Sequence, residues 1–151
     1  MDNYVFTTTL GLECREQLED ILYFNARQSA VLPGLEAALA RYGAPRIFAE
    51  KDTLRVALDR SDAASALFAL DASVNPPRLA AVAVFLRPDP ATLTIAHLAV
   101  GEADGPGPSD EENSCGFLLV RAVADMARRL RGVQRVELPY WTKTPRYLKV
   151  R

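Results

Sequence analysis

At 151 residues the chain has the length of one domain with its own core, and 49% hydrophobic with 25% charged residues is an ordinary globular balance. A formal net charge of −1 speaks against a general electrostatic attraction to nucleic acid, and no apolar run approaches the roughly 20 residues that a membrane span needs. Cys14 and Cys115 have neither metal-ligand spacing nor the look of a disulfide framework, and the N-terminus lacks the basic region and apolar core of a secretion signal, so a cytoplasmic protein with reduced thiols and no metal is expected.

In chain order, Tyr4–Thr8 alternates weakly, as a short edge strand does. Glu13–Gln28 has helical period, with Cys14, Leu18, Ile21 and Leu22 along one side and Glu13, Glu16, Glu19 and Asp20 on the others. Gly34–Tyr42 is predicted as a shorter helix with Leu35, Ala38, Leu39 and Tyr42 on its inner stripe, stopped by Gly43 and Pro45. Strand candidates follow at Arg46–Glu50, Thr53–Asp59, Ala66–Asp71, Leu79–Leu86 and Thr92–Val100, punctuated by Ser61-Asp62 and Asn75-Pro76-Pro77. Arg87-Pro88-Asp89-Pro90 is a tight connection, so the two apolar runs beside it should pair as an antiparallel hairpin.

Gly101 to Asn113 is rich in Gly, Pro and acids and cannot continue the strand before it. Gly116–Leu130 is then an amphipathic helix, with Leu119, Val123, Met126 and Leu130 on one face and Arg121, Asp125, Arg128 and Arg129 away from it. Gly132 stands where a left-handed cap is wanted, and Val133–Leu138 reads as a further strand. A strand feeding a helix that returns to a strand is a crossover unit, so Thr92–Val100 and Val133–Leu138 should lie parallel in one sheet. The expected order is β-α-α-β-β-β-β-α-β, with Arg46–Glu50 as a further candidate: a single α/β domain over 1–151, its sheet mixed but mostly antiparallel, with helices on both faces.

A hairpin whose second strand ends in Leu98-Ala99-Val100, followed by a loop and a helix, resembles the GNAT superfamily of N-acetyltransferases over roughly Ala66 to Leu138. The resemblance implies a strand that splays from its parallel neighbour, and a gap that receives the pantetheine arm of acetyl-coenzyme A. It implies cofactor contacts at Leu98, Ala99 and Val100, whose amides would polarise the thioester carbonyl, and at the helix start, Ser114, Cys115, Gly116 and Phe117. A helix N-terminus suits a pyrophosphate because its first amides lack partners and its dipole is positive there. The family writes this loop as Gln or Arg, two residues, Gly, one residue, then Gly or Ala. Here the run is Glu111-Glu112-Asn113-Ser114-Cys115-Gly116, in which only Gly116 agrees. Asp104, Asp110, Glu111 and Glu112 would repel a pyrophosphate yet favour the helix dipole, and Ser109 with Glu112 fits a capping box that would start the helix a turn earlier. Both a solvated acidic helix start and a pyrophosphate cradle are open.

Acyl transfer to an amine needs a base for the ammonium proton and an acid for the thiolate. The resemblance places the base at Thr94, which cannot act as one. His97, the lone histidine, is the candidate base or a structural residue; strict alternation points it away from Thr94 unless a bulge resets the phase. The family's acid is often a Tyr on a helix after the last parallel strand. This chain has little room for that helix, and Pro139 to Leu148 reads as an extended or turn-rich tail. Tyr147 is the nearest match in spacing, with Tyr140 and Trp141 as packing or subunit-contact residues and Lys143, Arg146, Lys149 and Arg151 as a basic end. Cys115 has a thiol-activating position at a helix start, but acids precede it.

The implied function is acyl transfer from acetyl-coenzyme A to a small-molecule or peptide amine. The alternatives are an inactive GNAT-like module for binding or dimerisation, and a small acidic chaperone or adaptor. The shortened C-terminus leaves a sheet edge to cover, from which a homodimer is expected.

Overall fold

A computed structural model describes residues 3–23, 38–61, 63–101, 114–138 and 146–150, the side chains of Arg146 and Tyr147 excepted. In chain order the strands are β1 (Tyr4–Thr7), β2 (Leu10–Gly11), β3 (Pro45–Glu50), β4 (Thr53–Leu58), β5 (Ser65–Asp71), β6 (Arg78–Asp89), β7 (Thr92–Val100), β8 (Arg135–Leu138) and β9 (Arg146–Lys149). A 3-10 turn over Leu12–Cys14 leads into helix α1 (Arg15–Tyr23), residues 38–42 are helical, and α2 is Cys115–Arg129. Residues 24–37, the acidic run 102–113 and the aromatic stretch 139–145 lie outside the described residues. With them lie the remainder of both predicted N-terminal helices, the Ser109–Glu112 box, Tyr140, Trp141 and Lys143, together with Arg151.

The central hairpin forms as predicted. β6 pairs antiparallel with β7, and Leu79–Leu86 and the whole of β7 are buried residue after residue rather than alternately. Continuous burial means both faces of these strands are covered. α1 and α2 both pack against β6, and Ala80, Ala81, Ala83, Ala96 and Ala99 offer small side chains across which helices can approach closely. The turn is tighter than the run of prolines implies: β6 continues through Asp89 and the reversal occupies Pro90 and Ala91.

The main sheet runs β1-β5-β6-β7-β8-β9, with β7 and β8 parallel and every other neighbouring pair antiparallel. α2 provides the crossover between the parallel pair. Its buried stripe is Leu119, Val120, Val123, Ala124 and Ala127, while Arg121, Asp125, Arg128 and Arg129 are exposed. Burying a residue such as Leu119 or Val123 contributes about 1.5–3 kcal/mol. Leu130, assigned to that stripe by period, is instead at the C-cap and exposed, because the helix ends at Arg129 and the backbone turns extended there. Gly132 takes φ +89°, as its position requires.

Three expectations are corrected. There are two sheets rather than one: β2, β4 and β3 form a separate antiparallel sheet. In β4, Leu54, Val56 and Leu58 are buried and Arg55 is exposed, an alternation that lets a hairpin cover the core with one face and meet water with the other. The β5 edge it would have joined is occupied by β1. The second correction concerns the tail, where Arg146–Lys149 is strand β9, antiparallel to β8, so the edge taken as uncovered is paired. Leu148 and Val136 are partners in that ladder. The third is the start of α2, which begins at Cys115 with Ser114 as its cap. No described helix is long and apolar enough to cross a membrane.

Candidate functional site

The parallel ladder between β7 and β8 has the pairs Thr92↔Arg135, Leu93↔Val136 and Thr94↔Glu137, and stops there. β7 continues beside β6 to Val100. From residue 139 to residue 145 the chain lies outside the described residues.

A bulge in β7 follows the last rung. Phe85 pairs with Ile95 and Val84 with His97, so Ala96 is an extra residue in β7. A bulge bends its strand and shifts the alternation by one. Leu86, the partner of Thr94, and Val84, the partner of His97, share a face by alternation; His97 is thereby on the same face as Thr94. Directly opposed residues of neighbouring strands also share a face, which adds Glu137. Leu138 and Leu148 face the other way, lining a cavity of about 280 Å³ with Phe117, Val120 and Ala124 of α2. Thr94, His97 and Glu137 are thus on the side of the sheet away from α2.

Their environments differ. Thr94 is fully buried and its Oγ1 has no hydrogen-bond partner among the described residues. Glu137 is half-buried. His97 is 5% exposed and bonds to the backbone of Gly43, the residue at φ +87° that ends the helical stretch 38–42 through its N–H to the Leu39 carbonyl, 2.9 Å. Burial pushes the His97 pKa down to about 4, against the opposing pull of the Gly43 bond. The imidazole is neutral at neutral pH and ties the helix end to β7.

At the start of α2, Ser114 has extended backbone, φ −71° and ψ 149°, and its Oγ accepts from the Phe117 N–H at 3.2 Å. Its carbonyl accepts the first helical bond, from Leu118 N–H at 3.0 Å. Of the four residues assigned to a pyrophosphate, Phe117 has its amide engaged by the cap, and Cys115 and Gly116 are the first two residues of the helix. Ser114, Cys115 and Gly116 are buried, as are Leu98, Ala99 and Val100. Cys14 is buried too, and burial followed by the neighbouring Glu13 charge raises its thiol pKa. Neither cysteine is in a disulfide. Tyr147 is placed only by its backbone, opposite Glu137 in the β8–β9 ladder.

The fold thus brings Thr94 and His97 together and adds Glu137, which the sequence reading passed over. Its signal was faint: a single acid between Val136 and Leu138 in a short strand reads as an ordinary solvated position. Among the described residues no cluster of three or more His, Cys, Asp or Glu could hold a metal ion. No protein-family model, no curated protein and no solved structure matches the chain.

Proposed function

We propose that the protein binds an acyl-coenzyme A between β7 and β8 and transfers the acyl group to an amine, as an N-acyltransferase of the GNAT type. The observation that carries this reading is the crossover itself: β7, bulged at Ala96, lies parallel to β8 and is joined to it through α2. A pantetheine arm is a thin chain of amides and methylenes, and a bulged strand beside a parallel neighbour would offer it backbone groups and apolar side chains. The crossover helix supports the same reading, since the Cys115 and Gly116 amides are at its N-terminus, where a phosphate is favoured. So does the cavity beside α2, apolar at Phe117, Val120 and Leu138 and rimmed by Arg121 and Lys149, which suits a ligand with an apolar arm and phosphates.

The test is calorimetric titration of the chain with acetyl-coenzyme A, paired with thermal unfolding. A cofactor present at 100 times its dissociation constant stabilises the native state by about 2.7 kcal/mol. No heat and no shift at millimolar acetyl-coenzyme A removes the reading.

One observation favours a second reading, a GNAT-like binding module without catalysis: His97 is buried, neutral and engaged with Gly43, and Thr94 cannot take a proton. Acetyl-coenzyme A binding without thiol release from any amine would select it. A homodimer belongs to either reading. Because β9 covers β8, the open edge from which a dimer was expected is closed, and β1, with exposed Val5 and Phe6 at the outer side of the sheet, would be the edge for such a contact. A mass of 16.6 kDa by light scattering at high concentration would overturn the dimer.

A further inference from the structure

We infer that the cavity at the C-terminal end of α2 binds an amphipathic carboxylate, its apolar body against the β6–β7 hairpin and its head on Arg87. The cavity measures about 520 Å³, within the roughly 300–1,000 Å³ of small-molecule sites, and both sheets and α2 line it. Phe85, Leu86 and Leu93 are its apolar part on the hairpin side, and all three are otherwise buried. Half-buried Met126 and exposed Leu130 add apolar surface from the end of α2. The helix has 15 residues and is therefore about 22 Å long, so this cavity is separate from the Cys115–Gly116 end assigned to a pyrophosphate. Its occupancy does not depend on acyl-coenzyme A binding at that other end.

The head group follows from Arg87. Its Nη2 donates to the carbonyls of Pro90 and Arg131, each at 2.6 Å. Two bonds use both protons of that nitrogen and fix the guanidinium plane, leaving Nε and Nη1 to donate. No described residue engages those two nitrogens, and no described carboxylate pairs with Arg87. A cation already held by its own backbone partners loses little freedom when an anion arrives.

Arg55 is the other charged side chain of the described lining. Its Nη1 is 3.4 Å from Glu50 Oε2, an exposed pair of the kind that contributes little and exchanges readily. Two guanidinium groups beside hairpin and helix side chains ask for one small anionic head on an apolar body. A sugar would leave the charges unanswered, and a polyphosphate would leave Phe85, Leu86 and Leu93 without apolar contact.

The experiment uses the full chain with octanoate and 2-naphthoate, an aliphatic and an aromatic carboxylate, each beside its uncharged alcohol. The two methionines are Met1 and Met126, so methyl labelling with carbon-13 puts one reporter in the cavity and one at the chain end. At least one carboxylate should shift the Met126 methyl saturably and leave Met1 in place. In the parent chain that acid should bind about 10-fold more tightly than its alcohol, the scale of a charge-assisted hydrogen bond. In Arg87→Gln the acid and the alcohol should bind alike. Failure of both carboxylates to shift Met126 at millimolar concentration overturns the site, and so does binding that moves only residues of the cavity beside Phe117 and Val120. Equal affinity for acid and alcohol in the parent overturns the anionic head without any variant having to fold. A preference for the acid that survives in Arg87→Gln removes Arg87 as its partner and overturns the assignment.

Discussion

Thr94 and Glu137 face each other across the last rung of the one parallel ladder in the described sheet, with a buried hydroxyl on one strand and a half-buried carboxylate on the other. Above this rung β7 bulges at Ala96.

The Thr94 hydroxyl costs the fold stability. A buried polar atom without a partner costs about 1–3 kcal/mol, and an apolar group of the same shape removes that cost. Thr94→Val should therefore raise the urea unfolding free energy by about 1 kcal/mol. A loss of stability in that variant would mean that the hydroxyl is satisfied in solution.

His97 makes the fold acid-sensitive. Its folded pKa, about 4, is below the ordinary histidine value of about 6.5, so between those pH values the unfolded chain binds the extra proton. Stability is complete above about pH 6.5 and is lost as pH falls toward 4, by about 2 kcal/mol at pH 5. Carboxylates also titrate in this range, so the comparison is between parent and His97→Gln. Urea titrations at pH 7.5 and pH 5 should give a difference between the two chains that changes by about 2 kcal/mol, with the parent losing more. Equal losses would place His97 in contact with water.

Gly43, the partner of His97, tolerates no side chain. At φ +87° an added Cβ would be 2.8 Å from Arg60 N and 2.9 Å from Asp59 Cβ, and the first of these is backbone. Gly43→Ala should destabilise by more than about 1 kcal/mol in urea, through strain and contact together. A neutral effect would argue against the left-handed backbone at this position.

Ser114 is tested as a cap separately from any cofactor. Ser114→Ala should cost about 1 kcal/mol in the absence of ligand, and Ser114→Gly only a few tenths, because glycine leaves the amide open to water. The order is read from urea midpoints. A Gly variant weaker than the Ala variant would contradict the Ser114–Phe117 bond as the source of stability.

Gln17 is the fastener between α1 and the central hairpin. Its Oε1 accepts from the Leu79 N–H at 2.7 Å, beside the place where Ala80 is an extra residue in β6. Gln17→Leu leaves that amide without an acceptor at a cost of about 1–3 kcal/mol, whereas Gln17→Glu keeps one. Amide exchange at Leu79 should accelerate in the first variant and not in the second.

The sequence by itself determined what depends on near neighbours. The apolar stripe of α2, the β6–β7 hairpin, the crossover that makes β7 and β8 parallel, and the stops at Gly43 and Gly132 all follow from period, turn residues and backbone freedom within short windows. Tertiary structure decided everything that depends on register. The extra residue at Ala96 moves His97 to the face of Thr94, the opposite of what alternation says, and no local pattern announces it. Thr92 meets Arg135 across 43 positions of chain, and Thr94 meets Glu137 one rung higher. A slip of one residue would turn Glu137 toward α2 and remove it from the rung. Separate packing of β2, β3 and β4, and the pairing of β9 with β8, likewise came from which edges were already occupied. Periodicity tells each strand which side is buried; only the assembled sheet fixes which residue stands opposite which.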